Sequence, residues 1–132
     1  MEKKSVFETL SAINVKPYVK EKNKLSYLSW ATAWKLLKEV YPDAQRIIYE
    51  NDHTGFNYFT DGKSCWVQVG IIVDGHEHQD MLPVMDFRNK SISADLVNSM
   101  DINKTIQRAT AKAIAMHGLG LALYTGEDLP DE

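Results

Sequence analysis

Lys104, Arg108 and Lys112 recur at intervals of four along DINKTIQRATAKAIAMHGLGLALY, residues 101–124, a stretch otherwise dominated by alanine and aliphatic residues. No carboxylate occurs between Asp101 and Glu127. Residues four apart share a helix face, and like charges so placed repel by about 0.2 to 0.5 kcal/mol per pair in an isolated helix. Three readings accommodate such a row. It is a solvated helix face, it pairs in space with carboxylates from elsewhere in the chain or from a neighbouring subunit, or it tracks a phosphate backbone. The last needs repeated positive charge along a groove and no catalytic geometry. Arg88 and Lys90, a dozen or so residues earlier, are placed to extend it.

Other residues with chemical potential are weaker candidates. His76 and His78 point to one side of a strand, with Glu77 and Asp80 nearby, but two imidazoles lack a convincing third ligand for a metal. Asp80, Asp86 and Asp95 offer oxygen ligands for Mg²⁺, as a nuclease would need, yet no nuclease spacing joins carboxylates to a lysine. Cys65 alternates within an apolar strand and reads as packing; as the one cysteine it has no internal disulfide partner. His117 before Gly118 reads as a helix-end residue favouring the C-terminal dipole over a general base. Gly118-Leu119-Gly120 follows a helix instead of opening one and lacks the Walker lysine and hydroxyl, so no ATP use and no other cofactor is indicated. Trp30 and Trp34, one helical turn apart, favour core packing over base stacking.

The charge is unevenly distributed. The 132 residues carry a formal net charge of −3, which argues against a uniformly basic nucleic-acid-binding surface. Residues 16–46 nevertheless hold seven Lys/Arg against three Asp/Glu, and residues 88–112 hold five against two. Between them, residues 50–86 set seven acids against Lys63 alone. With 44% hydrophobic and 25% charged residues the composition is that of a globular protein. No apolar run approaches the roughly 20 residues of a membrane span, and MEKKSVFETL lacks the apolar stretch of a secretory signal, so an intracellular, cytoplasmic protein is expected.

The elements that must hold these residues follow from periodicity. A short amphipathic helix is predicted over Val6–Ile13, and Pro17 interrupts a lysine-rich connection running to Lys24. Ser29 is the expected N-cap of a helix through about Tyr41, with Trp30, Trp34, Leu37 and Tyr41 on one face and Pro42 as the stop. From Ala44 to Met85 the pattern becomes β: IIYE, FNYF, the alternating CWVQVGIIV, and a last strand over about His76–Met85, with Asp61-Gly62 and Asp74-Gly75 as turns. Asp101 is the expected cap of a final helix with the stripe Ile102, Ile106, Ala109, Ala113 and Met116, ending at a left-handed Gly118. The fold expected is α+β: an N-terminal helix, an antiparallel β-meander of three to four strands, then a long C-terminal helix packed on the sheet. It forms a single domain over 1–132, with its core at about 25–126 and an acidic end at 127–132.

Three stretches, LSYLSWATAWKLLKEVYPDA at 25–44, LPVMDFRNK at 82–90 and DINKTIQRATAKAIAMHGLGLALYTGEDLP at 101–130, resemble the phage single-strand annealing proteins of the Sak type, relatives of the eukaryotic Rad-fifty-two annealing protein. The resemblance implies ATP-independent binding of single-stranded DNA and annealing of complementary strands in phage homologous recombination, within the cytoplasm of a bacterial host. It implies a β-meander followed by a long helix, and assembly into a homo-oligomeric ring or helical filament, with phage or host replication and recombination proteins as further partners. It places Arg108 and Lys112 on the family's DNA-binding helix and Arg88 and Lys90 on its basic loop, while Lys104 joins them by spacing alone. The chain is not expected to be an enzyme. Two other classes stay open: a metal-dependent nuclease, and an interaction protein without DNA affinity that docks a basic partner through its acidic middle strands.

Overall fold

The computed structural model describes residues 4–22 and 25–124. Helix α1 spans Val6–Ser11. It starts where the Ser5 hydroxyl accepts the Glu8 N–H and the Glu8 carboxylate accepts the Ser5 N–H, a reciprocal capping box. The expected lysine-rich connection is instead partly ordered as a hairpin, β1 (Lys20–Lys22) paired antiparallel with β2 (Leu25–Tyr27). β1 is Lys-Glu-Lys with no apolar position, and β2 is only three residues long, too short for its periodicity to mark a strand.

Helix α2 covers Trp30–Val40, capped by the Ser29 hydroxyl accepting the Thr32 N–H at 3.2 Å. Its buried face is Ala33, Leu36 and Leu37, rotated away from the two tryptophans, which lie half-buried at its border. Beyond its end the Lys38 ammonium donates to the carbonyls of Pro42 and Ala44, fastening the turn that leads into the sheet.

Four further strands form the main sheet: β3 (Gln45–Ile48), β4 (Phe59–Thr60), β5 (Cys65–Val73) and β6 (His76–Pro83), the other three each antiparallel to β5. β3 and β4 share one edge of β5, and β6 takes the other over its whole length, from Val73↔His76 to Trp66↔Pro83. The β5–β6 turn is the expected Asp74-Gly75, both with positive φ (52° and 82°), as a tight hairpin turn of this hand requires. Every second residue of β5, Cys65, Val67, Val69, Ile71 and Val73, is at most 2% exposed and faces the helices. The opposite sheet face lacks a covering layer among the described residues. It is made tolerable by a polar mesh in which Tyr49 donates to Glu77, Gln79 to Tyr49, and Gln68 to Gln79, beside a Phe59–Trp66 stack. Gly70 lies under this mesh, where an added Cβ would strike the Glu77 carboxylate and crowd the Tyr49 ring.

Helix α3, Ser99–Met116, packs on β5 and β6. The expected cap at Asp101 is corrected by one turn. Asn98 is the N-cap, its side chain accepting the Asp101 N–H while the Asp101 carboxylate accepts the Asn98 N–H. Asp101 thus belongs to the cap as its partner at the third residue of the helix, within the first turn, and the helix gains its first residues upstream. At the other end Gly118 adopts φ +122° as expected, with the Phe7 carbonyl so close that a Cβ would lie 2.9 Å from it.

Two apolar clusters run along β5. Cys65, Val67 and Val69 meet Ile102, Ile106 and Ala109 of α3; Ile71 and Val73 meet Leu10, Leu36, Leu37, Ala113, Ile114 and Leu119. Fully burying an aliphatic side chain of this size contributes about 1.5–3 kcal/mol. The second half of α3 is enclosed on nearly all sides, and Ala109, Ala111, Ala113 and Ala115 are all no more than 8% exposed. Small side chains are what permit that close approach. Met116, expected to continue the apolar stripe, is 37% exposed at the last residue of the helix. The acidic end at 127–132, and the last residues of the GEDLP segment, lie outside the described residues.

Candidate nucleic-acid interface

The α3 cations are positioned by the mismatch between a spacing of four and a turn of 3.6 residues. Each step of four overshoots a full turn by about 40°. The row is therefore not straight. Lys104 and Arg108 are exposed on the helix surface, while Lys112 is half-buried. Its ammonium lies 5.5 Å from the centre of the Tyr124 ring, supplied by a single turn of 3₁₀ helix at Leu121–Tyr124. Thr105 and Thr110, buried on the flanks of this face, return their hydroxyl protons to the carbonyls of Asp101 and Ile106, both at 2.7 Å.

Arg88 and Lys90 occupy the tip of a second structure, a short loop that closes between Val84 and Ile92. The Ile92 N–H reaches the Val84 carbonyl, the Asp86 N–H the Lys90 carbonyl, and the Asn89 N–H the Asp86 carbonyl. The Asp86 carboxylate is folded into the loop, accepting the Arg88 and Lys90 N–H groups at 2.8 and 3.1 Å. Asn89 supplies the positive φ, 61°, that the return requires. Val84, Met85 and Ile92 at the stem pack in the same cluster as Ile102, Ile106 and Ala109, so the loop is anchored beneath the first half of α3. Both cations are exposed.

Among the described residues the ion pair found is Lys35–Glu39, on the surface of α2. None of Arg88, Lys90, Lys104, Arg108 or Lys112 forms an ion pair with a carboxylate of the described chain. Pairing with the acidic middle strands, the second reading of the row, is thus not made within this chain's described residues.

The remaining candidates separate. His78 and His117 meet edge to face with ring centres 4.4 Å apart, and the His117 Nε2 donates to the Ile71 carbonyl at 2.8 Å. Burial holds the His117 pKa below the ordinary histidine value, with smaller contributions of the same sign from His78 and His76. His117 is thus a neutral donor inside the fold, which replaces the expected charged contact with the helix dipole. Asp86 is committed to its loop, Asp95 sits in a 3₁₀ turn at Ala94–Leu96, and Asp80 lies on β6; among the described residues no three His, Cys, Asp or Glu side chains gather where a metal could be held. Cys65 is buried at 2% exposure.

Two features escape sequence reading. Arg46 pairs with Ile71 across β3 and β5 and so points to the helix side of the sheet. There its guanidinium lies 5.1 Å from the Trp30 ring and donates to the Thr110 hydroxyl at 3.2 Å, tying α2, β3 and α3 together. Desolvation lowers its pKa, as expected for a cation held partly out of water. The second is Phe87, 88% exposed at the tip of the basic loop. The signal for Arg46 was available as a cation in the inward register of QRII; nothing in sequence marked Phe87 as exposed.

Fold and site together define an α+β protein in which a helix laid across an antiparallel sheet presents cations left unneutralised by its own described carboxylates. The chain belongs to the family of the Sak Single Strand Annealing Protein, whose sequence profile matches residues 4–132. None of the curated proteins matches it.

Proposed function

We propose that the chain binds single-stranded DNA through its phosphates and anneals complementary strands without ATP, serving phage homologous recombination in the bacterial cytoplasm as a homo-oligomeric ring or helical filament. The observation that carries this reading is the exposed, unpaired pair Lys104 and Arg108 on α3, with Arg88 and Lys90 on the anchored loop beneath, in a chain of the annealing family. Lys112 completes the row at its half-buried end. A net charge of −3 does not oppose it. Exposed charges farther apart than a Debye length of about 8 Å are largely screened at physiological salt, so the local patch governs the contact with a polyanion.

No reacting side chain is required. Cations that hold the strand by its phosphates leave base edges free, and base pairing with stacking supplies the driving force when a second strand is complementary. Neutralising phosphates on two strands also reduces the repulsion between them. Association then depends steeply on salt, with a slope of about 0.7 per phosphate contact on a single strand.

The decisive experiment is a gel-shift and annealing assay on complementary oligonucleotides, with and without Mg²⁺ or Mn²⁺ and without nucleotide. Intact strands that anneal faster with protein than without it are the expected result. Metal-dependent cleavage that disappears on changing Asp80 or Asp86 establishes a nuclease instead. Absence of any affinity for DNA, from the monomer or the assembled protein, leaves an interaction protein and overturns the proposal.

A further inference from the structure

Phe87 is the most exposed large apolar side chain of the described chain, at 88%. A lone exposed apolar residue is ordinary on a protein surface. This one differs in how it is held. It stands at the tip of a loop closed by three backbone hydrogen bonds, with the Asp86 carboxylate binding two further N–H groups, so little backbone freedom remains to be lost when something docks on the ring. Arg88 places its guanidinium 5.3 Å from the ring centre, and Lys90 is exposed three residues on. The stem rests in the cluster that supports the first half of α3.

An aromatic face with a cation beside it and a second cation nearby matches a nucleotide unit, in which a flat base is linked to a phosphate. We infer that Phe87 is a base-stacking contact: an unpaired base of the bound strand lies on or against its ring while Arg88 and Lys90 meet the adjoining phosphates. The inference rests on the proposed binding of single-stranded DNA and adds to it a contact made to bases instead of the backbone. A duplex keeps its bases stacked internally and offers this ring little, so the loop discriminates single strands from paired product. Release of the base as pairing proceeds is a direct consequence.

The test uses the full chain, Phe87→Ala and Phe87→Tyr, with an oligothymidylate and an abasic deoxyribose-phosphate strand of equal length. The exposed position makes these changes neutral for folding, which circular dichroism checks. Stacking on one aromatic is worth about 1–3 kcal/mol per base, so Phe87→Ala weakens binding of the oligothymidylate by about tenfold, with the salt slope unchanged. Phe87→Tyr retains the wild-type affinity, and the abasic strand binds wild type and Phe87→Ala alike. Equal losses on both strands, no loss on either, or a change of assembly size in light scattering caused by Phe87→Ala each overturns the stacking contact. Wild-type protein that binds neither strand sinks the proposed function itself, and is told apart by that.

Discussion

Lys104, Arg108 and Lys112 share a sequence spacing but not an environment. The first two are exposed to solvent, and the third is half-buried with its ammonium over the Tyr124 ring. Lys104→Ala and Arg108→Ala are expected to leave stability within about 0.5 kcal/mol and to reduce the salt slope of single-strand binding by about 0.7 each. Lys112→Ala removes a half-buried side chain and its contact with the Tyr124 ring as well as charge, so it is expected to lower the melting temperature in addition. Thermal melts and titrations at several salt concentrations separate these outcomes, and identical slopes in all variants would remove the row from the interface. His117 carries a different consequence. Its folded-state pKa lies below the ordinary 6.5, because burial disfavours the imidazolium and outweighs the hydrogen bond to the Ile71 carbonyl, with His78 and His76 adding smaller effects in the same direction as burial. The unfolded chain therefore takes up the proton first as pH falls, so the stability this residue contributes is intact above about pH 6.5 and is lost as pH drops through and below that value. His117→Gln, which keeps an N–H for the Ile71 carbonyl, is expected to flatten the decline of melting temperature between about pH 7 and pH 5. A decline as steep as wild type assigns it to other groups.

At the level of elements, the alternation of CWVQVGIIV was enough to fix β5 to the residue, Cys65–Val73, because one face of that strand is buried throughout. Ser29 and Pro42 likewise framed α2. The errors lie where local chemistry offers two solutions. Asn98 and Asp101 are both good cap residues, and they cooperate in one box, so residue type alone does not distinguish the N-cap from its partner. Asn98→Ala is expected to cost about 1 kcal/mol, seen as a shift of the denaturation midpoint at unchanged slope. A stability equal to wild type would mean that the first turn of α3 is held by packing alone. The β1–β2 hairpin leaves little mark in the sequence, since β1 is Lys-Glu-Lys without an apolar position and β2 has three residues only.

For the whole molecule the open questions of charge and assembly meet at the sheet. β6 pairs with β5 alone among the described strands and so ends the sheet on its side, where an antiparallel strand from a second chain can be added. The segment LGLALY at 119–124 is a poorer candidate for a subunit contact than its apolar sequence suggests. Leu119 is 1% exposed in the core, and Leu123 packs against the same cluster. Assembly is therefore expected to use the β6 edge, and light scattering over micromolar concentrations, with and without DNA, is expected to report a mass above that of one chain. A strict monomer under both conditions would contradict the proposed ring or filament.

By itself the sequence determined the kinds of element and their order, since helix and strand periods are local properties of side-chain spacing. It also determined that positive charge gathers near residues 88–112 with few carboxylates beside it. Only the tertiary structure decided which of those cations stay open. A turn of 3.6 residues carries a row of fours around the helix, and what covers the far side depends on α1, α2 and the sheet, none of which is a neighbour in sequence. The same holds for Arg46, drawn under Trp30 and onto Thr110 by strand register, and for Phe87, left in water because the loop that carries it folds its carboxylate inward and its ring outward.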